Sequence, residues 1–392
     1  MTSHKRKSLD AAFANLNVAR TRSKSPSKSL KMSITSTLRR SIRSTGFPAW
    51  KTLRGLSSPN PEQCNFTLKM DENYRKYRRG QEKVDVVFER SAAVIEELKA
   101  NFQNDDYGMH LESYIEFTAD SMAHLVFGSN MQERAGMGLD ETIKLCREVF
   151  EGKNIDPTEI SPRSPEYAAQ LEFLVTQGFE ENPDAYHVIR SRREVIQHAQ
   201  ALKHILDAAL NRDEPLTEEL IRETHRILCQ GIDLDTKTSL RNVQYAGLYR
   251  DTMAMAGATV FTAPEKVPAA MQRLISDFNE DIENREKHQE MDPFYLAADI
   301  CQDFVMIHPF KDGNGRMCRL IANAFLMKYS GIVISIGEHD HDRKAYLEIA
   351  ELAGDGETEE QARGTLAGFF LEKADRTLSK LKGKLAAVKN KQ

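Results

Sequence analysis

The sequence predicts an all-α protein interrupted once by a short β-hairpin. Three observations predict it. Beyond about residue 70, apolar residues recur at spacings of three and four almost to the C-terminus. Helix punctuation falls at the ends of these runs: Thr217 as an N-cap, Asp292 as an N-cap with Pro293 at the first helical position, and Gly331 as a stop. β-favouring residues gather only once, in Thr259-Val-Phe-Thr262, between glycines 247 and 257 on one side and Pro264 and Pro268 on the other.

In order along the chain, residues 1–60 come first as a basic tail. They hold 13 Lys and Arg against one acidic residue, Asp10, a net of +12, whereas the rest of the chain carries −16. Few large apolar residues recur there at helical spacing, so the tail is expected to be disordered. Lys5-Arg6-Lys7 has the form of a nuclear address, and Met32 to Trp50 has the composition of a mitochondrial presequence. The plainer reading is a solvated tail with Ser-Pro sites such as Ser25-Pro26.

A helical region at 61–180 follows, with helices expected at 71–102, 111–127, 139–150 and 165–180. Gly136-Met-Gly138 forms a break and Pro157 and Pro162 mark a loop. The core domain is expected at 181–375, with helices at 182–211 and 216–230, the hairpin within 242–268, and helices at 268–286, 292–307, 314–329 and 341–353. A last helix at 357–383 runs into a lysine-rich C-terminal tail at 376–392. In 314–329 the residues Leu320, Ile321, Ala324 and Phe325 share one face. The five cysteines are odd in number and none has C-x-x-C spacing, which speaks for reduced, buried thiols and an intracellular setting, cytoplasmic or nuclear. No stretch approaches the roughly 20 apolar residues of a membrane span.

Chemistry concentrates in His308-Pro-Phe-Lys-Asp-Gly-Asn-Gly-Arg316-Met-Cys-Arg319, between two predicted helices. Gly313 and Gly315 allow close backbone approach where the second helix begins, and the free N–H groups there form an anion site. Arg316 and Arg319, three residues apart, project from one helix face and can clamp a polyphosphate. Asp312 is a hard oxygen ligand beside that site, suited to Mg²⁺. Asn314 can orient a phosphate or a metal-bound water. His308 can take a proton near neutral pH. Phe310 is expected to point inward and pin the loop. Each feature alone is commonplace, but within twelve residues they make a complete phosphoryl-type site.

This loop resembles the signature of the Fic family, H-P-F-x-[D/E]-G-N-G-R-x-x-R, at every defined position. The resemblance extends over roughly 190–370. It implies a helical bundle with a β-hairpin flap, a helical N-terminal extension, and transfer of AMP from ATP to a Ser, Thr or Tyr hydroxyl of target proteins. It further implies that His308 deprotonates the hydroxyl and Asp312 holds Mg²⁺ (or Mn²⁺). Gly313, Asn314, Gly315 and Arg316 would bind the α- and β-phosphates, Arg319 the γ-phosphate, and Tyr346 would lie beside the adenine. The flap, with Gly257, Thr259, Val260, Phe261 and Thr262, would hold the target by strand addition.

Ser129-Asn-Met-Gln-Glu133 is similar to the first five positions of the family's inhibitory pattern, [S/T]-x-x-x-E-[G/N], in which the glutamate pairs with the second motif arginine. Ser129 and Glu133, four apart, share a helix face. The sixth position is Arg134, which departs from the pattern and stands where it can compete for Glu133. The resemblance admits two other outcomes: removal of AMP from a target, with Glu133 required, and a non-catalytic helical protein-binding domain. The expected partners are ATP and protein substrates, including the chain itself as substrate or in a homodimer. Nucleic-acid binding by residues 1–60 is disfavoured by their few aromatics.

Overall fold

The computed structural model describes residues 66–76, 82–103, 109–234, 244–256, 259–352 and 359–389. The basic tail, Cys64 and Gly257 lie outside the described residues. The helices are, in chain order, α1 (Val84–Gln103), α2 (Met109–Gln132), α3 (Leu139–Phe150), α4 (Pro165–Thr176), α5 (Ala185–Leu206), α6 (Glu218–Cys229), α7 (Val267–His288), α8 (Pro293–Ile307), α9 (Asn314–Ser330), α10 (Asp340–Leu352) and α11 (Glu359–Lys389). Four two-residue strands, β1 (Thr67–Leu68), β2 (Met255–Ala256), β3 (Thr259–Val260) and β4 (Glu290–Met291), form two pairs. The all-α expectation with one hairpin holds.

α9 lies at the centre. The sequence predicts an apolar stripe on one face, but every residue of the helix except Gly315 is buried, because α2, α5, α6 and α8 pack around it. Asn323 and Lys328 on it are satisfied internally, as burial demands. The Asn323 amide donates to the Arg319 carbonyl (2.9 Å) and accepts from the Ile334 N–H (2.7 Å). Lys328 reaches Asp213 at 2.9 Å. α11 closes the other side against α1, α2, α8 and α10.

The predicted caps form. The Thr217 side chain accepts from Leu220 N–H, and Gly331 ends α9 with φ +73°. Asp292 caps α8 through Phe294 and Tyr295 N–H, and also accepts from Asp71 N–H (2.9 Å) and the Tyr74 hydroxyl (2.9 Å). Burial pushes its carboxyl up to about 6 against the pull of these donors. This tether corrects the helix expected from residue 71. Residues 66–76 are non-helical, with β1 parallel to β4, Thr67 opposite Glu290 and a turn at 72–73, and α1 starts only at Val84. A buried carboxylate far along the chain outweighed local helical spacing. The four described cysteines, Cys146, Cys229, Cys301 and Cys318, are free and buried. No helix among the described residues is long and apolar enough to cross a membrane.

Candidate functional site

α8 and α9 are antiparallel neighbours joined by the loop 308–313, which places His308 and the first turn of α9 side by side. His308 ends α8 in the left-handed region (φ +52°, ψ +59°). Its ring stacks on Phe261 with centroids 4.0 Å apart and planes within 9°. The Nδ1 atom is buried. Burial pulls the imidazole below its ordinary pKa, the Val305 carbonyl opposes this, and Arg250 adds to it. The imidazole is therefore neutral at pH 7.

Gly313 caps α9 with φ +77°, and a Cβ there would meet Cys229 Sγ at 2.9 Å. Phe310 is fully buried, as expected. The Asn314 amide also bonds back to the loop: its oxygen accepts from Phe310 N–H (2.9 Å) and its nitrogen donates to the Phe310 carbonyl (2.8 Å). Arg316 meets the Asp312 carboxylate at 3.1 Å, while its buried Nε and Nη1 have no protein partner. Burial would raise the Asp312 carboxyl, but the Arg316 guanidinium, the Gly313 N–H and more distant positive groups together outweigh it and hold the group below the usual range. The loop thus offers an ionised carboxylate, unpaired guanidinium donors and a helix N-terminus to an anion.

Ser129 and Glu133 do converge on Arg319. The guanidinium, 2% exposed, donates through Nε to Ser129 Oγ (2.8 Å), and through Nη2 to the Ser129 carbonyl (3.0 Å) and Glu133 Oε1 (2.6 Å). The Glu133 carboxylate also lies directly over Gly315, where any Cβ would collide with it. A carboxylate at the C-terminus of α2 is disfavoured by that helix's dipole, and at the N-terminus of α9 it is favoured. Glu133 bridges the two, occupying the place an anionic ligand would take.

Arg134 resolves its departure from the pattern. Ala135 N–H bonds to the Asn130 carbonyl (3.0 Å) and Arg134 N–H to the Met131 carbonyl (3.3 Å), the paired bonds of a Schellman end. Glu133 is the C-cap and Arg134 the left-handed residue after it, φ +54°. Glycine or asparagine suits that position because it is left-handed. The Arg134 guanidinium turns away from Glu133, bonding the Gly178 carbonyl and lying 5.5 Å from the centre of the Phe179 ring. α5 braces the turn: His198 bonds Asn130 (2.8 Å) and Glu194 accepts from Gly136 N–H (2.9 Å).

Tyr346 is 8% exposed. Its ring lies 5.8 Å from the Arg319 guanidinium and its hydroxyl between Cys301 (3.7 Å) and Cys318 (3.6 Å), so in this structure it backs the arginine. The hairpin pairs Met255 with Val260 and Ala256 with Thr259, antiparallel. Met255 (70%) and Val260 (60%) stand in solvent, whereas Phe261 is turned inward under His308.

Sequence reasoning passed over Arg250. Its buried guanidinium donates to the carbonyls of His308 (2.6 Å), Thr252 (2.7 Å), Ile307 (3.3 Å) and Thr262, and its N–H bonds the Pro309 carbonyl (2.8 Å). With no carboxylate partner among these contacts, it ties the backbone of the loop after α8 to the hairpin. Lysine cannot reach four carbonyls at once. Arg250→Lys is expected to lower the unfolding free energy by about 2–3 kcal/mol in a denaturant titration. A change under about 0.5 kcal/mol would show these bonds to be replaceable by water.

A helix N-terminus, a carboxylate, two buried arginines and a histidine gather in one helical domain, an arrangement suited to a phosphate group. Residues 215–326 match the sequence model of the Fic/DOC family. A Fido domain-containing protein of Dictyostelium discoideum is 37% identical over 83 residues, 21% of this chain and 55% of that protein. A protein adenylyltransferase Fic of Nematostella vectensis is 30% identical over 165 residues, 41% of this chain and 35% of that protein. The chain thus spans about half, or less, of these relatives' lengths. The structure of a Fic domain containing signaling protein from Bacteroides thetaiotaomicron aligns over 75% of this chain and 98% of its own, with a TM-score of 0.52 and 21% identity, a likeness of fold.

Proposed function

We propose that this chain transfers AMP from ATP to a hydroxyl side chain of a target protein and is held in check by Glu133. The observation that carries this reading is the Glu133 carboxylate seated on Arg319 and Gly315, where a polyphosphate would lie. A relative named as a protein adenylyltransferase supports it. His308 Nε2 takes the proton of the target hydroxyl, that oxygen bonds to the α-phosphorus, and the bond from the α-phosphorus to the bridging oxygen breaks to release pyrophosphate. Arg316 and the first turn of α9 hold the α- and β-phosphates, and Arg319, once free of Glu133, holds the γ-phosphate. β2 and β3 present main-chain groups to an extended target segment.

Asp312 fits a shared Mg²⁺ site. It is ionised, and among the described residues no group of three or more His, Cys, Asp or Glu could hold a metal by itself. One carboxylate plus substrate phosphates is the usual Mg²⁺ arrangement. Bound there, Mg²⁺ supplies charge neutralisation for the leaving pyrophosphate.

The test incubates wild type, Glu133→Gly and His308→Ala with α-labelled ATP and Mg²⁺, reading label on the protein itself and on lysate proteins. Label that rises in the first variant and disappears in the second is expected. Absence of label in wild type and Glu133→Gly alike would reject the reading. It would favour the removal of AMP, with Glu133 orienting the attacking water, and a pre-modified target would then lose its label only when Glu133 is intact.

The pH profile carries a sign. Because burial lowers the His308 pKa, the base stays neutral above pH 6.5. The transfer rate is expected to be flat there and to fall about tenfold per unit as pH drops below the lowered pKa. A limb still rising through pH 8 would assign the proton transfer to another group.

A further inference from the structure

We propose that His225 is a positioning residue for this reaction, fixing the Asp312–Gly313 backbone and thereby the aim of the Asp312 carboxylate and of the α9 N-terminus at the nucleotide phosphates. The proposal rests on the adenylyl-transfer reading above. His225 is fully buried on α6, 87 residues from the loop it supports. Three restraints act on its ring at once. The ring stacks flat on Phe310, with centroids 3.6 Å apart and planes within 4°. Nδ1 accepts the Gly247 N–H at 2.8 Å, which places the proton on Nε2. Nε2 then donates to the Asp312 carbonyl at 2.9 Å.

Asp312 is consequently gripped at both ends, its carbonyl by His225 and its carboxylate by Arg316. Rotation of its backbone would break the first bond and swing the second. The next residue is held by shape: a Cβ on Gly313 would come within 3.3 Å of His225 Nε2 and 2.9 Å of Cys229 Sγ. The other partner, Gly247, begins the segment whose Tyr249 bridges to Phe310 and whose Arg250 binds the His308 carbonyl. One imidazole therefore joins the phosphate loop to the strap that anchors the flap. No other side chain supplies a flat ring with a donor at one end and an acceptor at the other at neutral pH. Phenylalanine keeps the stack and loses both bonds, and glutamine keeps a donor for Asp312 and loses the stack.

The experiment uses the full chain in the Glu133→Gly background, with His225→Phe and His225→Gln added singly. Melting is followed by circular dichroism, ATP binding by calorimetry over a series of Mg²⁺ concentrations, and amide exchange across 308–316 by mass spectrometry. Supporting partners of a metal ligand are worth about 10–100-fold in metal affinity. His225→Phe is expected to raise the half-saturating Mg²⁺ at least about tenfold, with faster exchange confined to the loop, and His225→Gln to fall between it and the parent. A folded His225→Phe with the parent's Mg²⁺ requirement and ATP affinity would overturn the proposal and leave a histidine that only fills the core. If His225→Phe does not fold, His225→Gln decides by the same split: lower melting with unchanged Mg²⁺ dependence overturns it. Failure of the Glu133→Gly parent itself to bind Mg²⁺-ATP would sink the adenylyl-transfer reading and this proposal with it, a result seen without any His225 variant.

Discussion

Glu133→Gly is expected to raise the rate of AMP transfer by one to two orders of magnitude and to tighten ATP binding. Arg319 has three contacts from α2, of which two come from Ser129 and survive the substitution. What is lost is the single charge-assisted bond at 2.6 Å and the bulk lying over Gly315. The γ-phosphate then gains a guanidinium donor, and the triphosphate can lie along the α9 N-terminus. A displacement of the reacting phosphorus by about 1 Å costs on the order of a hundredfold, which sets the scale of the gain. Initial rates with α-labelled ATP measure it, and titration calorimetry reads the binding half. A rate within twofold of wild type would mean that the carboxylate swings aside at no cost and is no brake.

His308→Asn is expected to lower transfer by about 10²–10⁴-fold while ATP binding stays near that of the parent. Asparagine is the informative replacement because residue 308 holds φ +52°, a conformation asparagine tolerates and alanine resists. The amide has no basic nitrogen to receive the hydroxyl proton, yet it leaves the loop's backbone bonds to Arg250 intact. The comparison should be made with Glu133→Gly as parent so that the fall is measured from a high rate. A loss of less than about tenfold would place the base elsewhere and leave His308 as a helix cap over Phe261.

The legible part of this protein was what lies close together in sequence. Twelve contiguous residues brought a histidine, a carboxylate, a glycine-flanked helix start and two arginines to one place, and helix spacing put Ser129 and Glu133 on one face. What stayed hidden depends on pairs far apart in the chain. Asp292 holding Asp71 undoes a helix that local spacing favoured. His225 and Arg250 carry the loop through carbonyl oxygens, and backbone acceptors leave no trace in residue type. The bonds of the Asn314 amide to Phe310 were hidden for the same reason: a side chain suited to a phosphate is equally suited to the peptide group four residues back. The orientation of Arg134 was illegible too, since a sequence gives its charge but not the handedness of its backbone.

That handedness has a consequence for control. A non-glycine residue in the left-handed region carries a penalty of roughly 1 kcal/mol or more, so the turn that presents Glu133 is wound like a spring. Its catch is the hold of Gly178 and Phe179 on the Arg134 guanidinium, 44 residues away from the coil it restrains. If that hold were lost, the turn would be free to relax, and the placing of the Glu133 carboxylate on Arg319 would relax with it. The brake proposed above would then answer to contacts at the end of α4 that never touch the phosphates.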